Sequence, residues 1–96
     1  MATTLLTFHG DVGAEDFPLW IVHRARRMGL HGWVRPTSDG TTIRVLVSGP
    51  DELIDAMELV CSLGPMSVWV EHVERTPANE AVEDTGFNVL SEPSAA

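Results

Sequence analysis

The alternation of hydrophobic and polar positions changes period along the chain, and each change marks an element. TTLLTFH (residues 3–9) gathers Thr, Leu and Phe ahead of a glycine and predicts a strand. From Phe17 the apolar residues Phe17, Trp20, Ile21, Ala25 and Met28 follow the spacing of one helix face, while His23, Arg24, Arg26 and Arg27 take the other. Asp16 suits the N-cap or first turn, Pro18 is tolerated in a first turn, and Gly29 is a stop signal. LHGWVRPT (30–37) and TTIRVLVS (41–48) flank a Ser-Asp-Gly turn in which Gly40 can supply a positive φ, so they predict a hairpin. Pro36 falls near the end of its run, where a missing N–H harms a ladder least. Gly49-Pro50-Asp51-Glu52 opens a second helix with an apolar face of Leu53, Ile54, Met57, Val60 and Cys61, and Gly64-Pro65 ends it. MSVWVEHVER (66–75) returns to strand, with Val70 and Val73 spaced as across a bulge. PANEAVED (77–84) is a polar loop, TGFNVL (85–90) a last short strand, and SEPSAA (91–96) a flexible tail.

The order is therefore β-α-β-β-α-β with a short extra C-terminal strand. Two helices on one face of an antiparallel sheet bury both apolar stripes, which is a ferredoxin-like α/β (α+β) sandwich. Phe8, Trp20, Ile21, Ala25, Val45, Val47, Leu53, Met57, Val60 and Val70 are the expected core. Ninety-six residues suffice for one such domain over 1–90, followed by the tail. The order of elements by itself names no activity.

Charge narrows the partners. Fourteen acidic residues stand against six basic ones, all arginine, for a formal net charge of −8. That balance opposes nucleic acid and anionic lipid as general partners, so an anionic ligand needs a strong local site. The N-terminus lacks a basic region and a long apolar run, and the single Cys61 lies in a helical apolar pattern, so the chain reads as cytoplasmic with a buried thiol.

The most unusual chemistry sits in the turn after the first strand, GDVGAEDFP (10–18). Gly10 and Gly13 punctuate a strand-to-helix connection, the layout of an anion-cradling loop, yet the same stretch carries Asp11, Glu15 and Asp16. Two like unit charges about 6 Å apart at an effective dielectric near 20 repel by about 3 kcal/mol, so a phosphate there meets a penalty more than once. The loop is expected to keep its scaffold role while Asp16 or Glu15 supplies, from within the chain, the negative charge that amides at a helix start prefer.

Further along, ARRMGLHGWVR (25–35), Asp39-Gly40, Gly49, Gly64-Pro65 and Gly86-Phe87 recur at separations that resemble the acylphosphatase family, and the similarity runs from Leu5 to about Leu90. The resemblance implies hydrolysis of carboxylic-phosphoric anhydrides by two side chains. One is an arginine that closes the glycine loop in a V-Q-G-V-x-F-R pattern and clamps the phosphate. The other is an asparagine after G-W-V-R that orients the attacking water. Aligned without gaps, Gly10, Val12 and Phe17 match, but the arginine's place holds Pro18 and the asparagine's holds Pro36. Gly10, Asp11, Val12, Gly13, Ala14, Glu15, Asp16 and Phe17 are then the equivalent of the ligand loop, with no intact catalytic residue. The expected function is an acylphosphatase-like module that binds an unidentified protein or small molecule without hydrolysis. The alternative is a weak or rewired acylphosphatase that yields carboxylate and phosphate.

Other candidates have plainer readings. Arg35 adjoins the lost asparagine, but adjacent strand residues point to opposite faces. His9, Asp11 and Asp16 lack a recognised metal-ligand spacing, and no metal or cofactor is expected. His23, His31 and His72 read as surface residues, Trp20 and Trp33 as core or its rim, and Trp69 as a residue of the open sheet face. RNA binding on that face wants adjacent aromatic and basic residues on the central strands, and the pattern is not expected to supply them.

Overall fold

The computed structural model describes residues 2–78 and 86–90. The predicted loop from residue 79 onward and the tail at 91–96 lie outside the described residues. The elements are β1 (Ala2–Asp11), α1 (Phe17–Arg27), β2 (His31–Pro36), β3 (Thr42–Gly49), α2 (Asp51–Leu63), β4 (Trp69–Pro77) and β5 (Phe87–Val89). The sheet runs β4-β1-β3-β2-β5. Its four long strands pair antiparallel, whereas β5 joins β2 in parallel, so the extra strand makes the sheet mixed. The predicted bulge falls on β4, where His9 faces His72 but Gly10 already faces Val70.

Strand alternation fills one side of the sheet with Leu6, Phe8, Val34, Ile43, Val45 and Val47, and the helices cover them with Phe17, Ile21, Val22, Ala25, Ile54, Met57 and Cys61. The helix faces differ slightly from the predicted ones. On α1 the buried set is Phe17, Ile21, Val22 and Ala25, which leaves Trp20 and Met28 on the rim. Leu53, Val60 and Val70 are likewise only half-buried. Burial raises the Cys61 thiol to a pKa of about 12, consistent with a packing role. Phe87 is fully buried and brings β5 into the same core.

Two hydrogen bonds that periodicity cannot show hold β5 in place. Arg26 Nε donates to the Phe87 carbonyl at 3.1 Å, and His31 Nδ1 accepts from the Gly86 amide at 2.8 Å. These assign structural work to two residues that the sequence reads as solvated. No helix among the described residues is long and apolar enough to cross a membrane.

Candidate functional site

The β1–α1 loop is shaped by what it packs against. The Gly10 amide donates to the Thr41 carbonyl at 3.0 Å and the Val12 amide to the Gly40 carbonyl at 3.1 Å, so the loop is stitched to the β2–β3 turn. Gly13 lies against Gly40 so closely that a Cβ on Gly13 would sit 2.8 Å from the Gly40 Cα. Gly40 itself has φ +74°, a conformation that favours glycine. The turn is rigid on its own account. Asp39 Oδ1 accepts from Thr37 Oγ1 at 2.7 Å, Thr41 Oγ1 at 2.9 Å and the Thr41 amide at 3.1 Å. Those bonds, the Thr37 hydroxyl foremost, lower the Asp39 pKa from 3.8 to about 2.

Loop and turn enclose a cavity of about 300 Å³. Val12, Gly13, Ala14, Glu15 and Pro18 line one side, and Pro36, Thr37, Ser38 and Gly40 the other. Residues 18 and 36, far apart in sequence, thus line one cavity. No main-chain carbonyl among the described residues takes the N–H of Gly13, Ala14, Glu15 or Asp16. Among the described residues the cavity walls hold one carboxylate, Glu15, and no cationic side chain.

The remaining loop residues are placed elsewhere. Asp11 ends β1 opposite the exposed Trp69, Phe17 is buried in the core, and Gly10 sits where β4 bulges. Asp16 does not cap the helix through its side chain. The Phe17 amide bonds to the Ala14 carbonyl at 3.1 Å, which starts a turn before the helix, and Asp16 takes helical angles (φ −82°, ψ −14°) within it. A capping side chain needs an extended residue at that position. The Asp16 carboxylate instead accepts from Ser67 Oγ at 3.2 Å. This corrects the expectation that Asp16 or Glu15 serves as an internal anion, since neither carboxylate accepts a hydrogen bond from the loop amides among the described residues.

Arg35 points away from the cavity, as strand alternation requires, with its guanidinium carbon 4.8 Å from the centre of the Trp33 ring. Its direct β3 partner is Arg44. The open sheet face therefore does bring an aromatic residue and two arginines together on inner strands, contrary to the sequence reading. The missed signal was the register: alternation already puts positions 33 and 35 on one face, and pairing of the hairpin adds 44. On the same face His9 and His72 stack with ring centres 5.7 Å apart, and His9 Nε2 lies 3.1 Å from Glu74 Oε1. Among the described residues no group of three His, Cys, Asp or Glu side chains is placed to hold a metal ion.

Comparison with known proteins agrees with this fold. The sequence model of the family described as acylphosphatase matches residues 5–89. The chain is 36% identical over 88 residues to an acylphosphatase of Rhodospirillum rubrum, covering 92% of this chain and 94% of that one. It is 36% identical over 89 residues to an acylphosphatase of Azorhizobium caulinodans, covering 93% and 95%. The crystal structure of acylphosphatase from Bacillus subtilis superposes with a TM-score of 0.84 over 94% of this chain and 99% of that one, a likeness of fold at 20% identity.

Proposed function

The chain belongs to the acylphosphatase family, and from that premise we propose that it uses the loop and turn as a binding module, without turning over acyl phosphates at an enzyme's rate. The observation behind this reading is that Pro18 and Pro36 both line the loop cavity, at the two places where the family resemblance puts arginine and asparagine. Hydrolysis of an acyl phosphate spreads charge over the phosphoryl oxygens, and catalysis consists largely of positioning and of stabilising that charge. A guanidinium in such a role is worth roughly 10³ to 10⁵ in rate. Proline supplies neither a charge nor a donor, and Glu15 adds repulsion on the same wall. The Thr37 hydroxyl is already engaged with Asp39 and the Thr42 carbonyl, so it is a poor substitute for the amide that would orient water.

A second reading, a working though slow acylphosphatase, is favoured by two observations. The relatives named acylphosphatase align over nearly the whole chain. The amides of residues 13–16 are also unclaimed by main-chain carbonyls, as an anion cradle requires. Phosphate release from benzoyl phosphate by the full chain separates the two. The expected rate equals the uncatalysed one. Turnover at a rate normal for an enzyme, lost on substitution of Gly13, would establish the second reading.

A further inference from the structure

The open face of the sheet carries a charge cluster that the loop does not use. Arg35 on β2 and Arg44 on β3 are direct antiparallel partners. Their sequence neighbours Val34, Ile43 and Val45 belong to the core under the helices, so alternation puts both arginines on the opposite face. Opposed residues in such a pair have Cβ atoms only about 4.5–5.5 Å apart, and like charges there are destabilising. No carboxylate among the described residues pairs with either guanidinium, whereas Arg75 has two, on Asp55 and Glu58. Arg35 is held over the Trp33 ring, and its Nε is shielded from solvent without a hydrogen-bond partner among the described residues.

The surroundings extend the cluster without neutralising it. Thr7 on β1 faces Arg44 from the other side and is 8% exposed. One rung further, Thr42 Oγ1 lies 3.4 Å from His9 Nδ1. Glu74 sits beyond Thr7, two strands from Arg44, and lies instead beside His9 and His72.

We propose that Arg35 and Arg44 form an anion platform that takes the phosphate group of a small phosphorylated compound. Each guanidinium is a planar fork of donors that matches phosphate oxygens, and a dianion between two of them removes their mutual repulsion. A monocarboxylate would leave one positive charge uncompensated. The net charge of −8 opposes a long polyanion such as nucleic acid. Arg35 also covers a face of Trp33 on which a base would otherwise stack. The platform lies on the far side of the sheet from the loop cavity and does not depend on what that cavity binds.

The test is a titration of the full chain with inorganic phosphate and with phenyl phosphate, followed by NMR of the backbone amides and the arginine Nε–Hε groups. Saturable shifts are expected at the Arg35 and Arg44 side chains, with phenyl phosphate bound at least as tightly as inorganic phosphate. Arg35→Gln and Arg44→Gln should each weaken binding by about tenfold or more. Arg44 is exposed and faces a like charge, so Arg44→Gln is expected to keep the fold, with a ligand-free thermal midpoint no lower than the parent's, which separates lost binding from lost structure. The proposal is overturned by shifts confined to the amides of residues 13–16, by binding that Arg44→Gln leaves unchanged, or by no saturable shift with either compound. Exclusion of phenyl phosphate, or tighter binding of a single-stranded oligonucleotide than of both compounds, would equally overturn it.

Discussion

The loop cavity and the open sheet face both draw on the β2–β3 hairpin, yet their chemistry is opposite. At the cavity, main-chain amides are left unclaimed around a wall of two prolines and one carboxylate. Across the sheet, two arginines stand side by side with no ion-pair partner among the described residues. Arg35 and Pro36 are consecutive, and the pleat sends one to each region. Glycine packing and turn hydrogen bonds shape the loop without any cationic side chain on the cavity wall among the described residues.

The largest effect should come from moving charge into the cavity. Pro18→Arg with Pro36→Asn and Glu15→Gln places a cation and an amide where the cavity lacks them and removes its one carboxylate. Acyl-phosphate hydrolysis is expected to rise by about 10³-fold or more over the unaltered chain, measured as phosphate release from benzoyl phosphate. Asp11 and Asp16 need no change, since neither lines the cavity. A folded variant with no gain and no phosphate affinity would show that the backbone geometry of the cradle has been lost as well.

A smaller effect tests whether loop and turn act as one unit. Gly13→Ala forces a Cβ against the Gly40 backbone and is expected to cost about 1–3 kcal/mol by urea unfolding. The amide of Val12 should then exchange faster as its bond to Gly40 weakens, while the amides around Arg35 and Arg44 keep their protection. Equal loss of protection at both regions would mean that they are not separable.

The smallest effect concerns the turn that carries Pro36 and Thr37. Asp39 has a folded pKa of about 2 against an ordinary 3.8, so its contribution is present above the ordinary value and fades as pH falls through about 2. The thermal midpoint of Asp39→Asn should lie slightly below that of the parent at pH 6, and the two should converge toward pH 2. A constant difference across that range would exclude the Asp39 carboxylate as the cause.

The sequence by itself determined the elements and their order, because hydrophobic period and glycine or proline punctuation are local properties of the chain. Gly64 at the end of α2, Gly40 in the hairpin and the bulge between Val70 and Val73 all fall where local rules put them. Residues 18 and 36, at two positions that the family resemblance singles out, line the same cavity. Tertiary structure decided the rest. Trp20 is on the rim because docking turned α1 toward Val22, which single-helix periodicity cannot specify. Asp16 is no cap because the turn closed between the Ala14 carbonyl and the Phe17 amide holds it at helical angles. Arg35 meets Arg44, Arg26 reaches Phe87, and His31 meets Gly86 only through strand register and the return of β5. Each of these depends on residues brought together across long sequence separations, where the energy lies in pairing and packing rather than in the preference of any one residue.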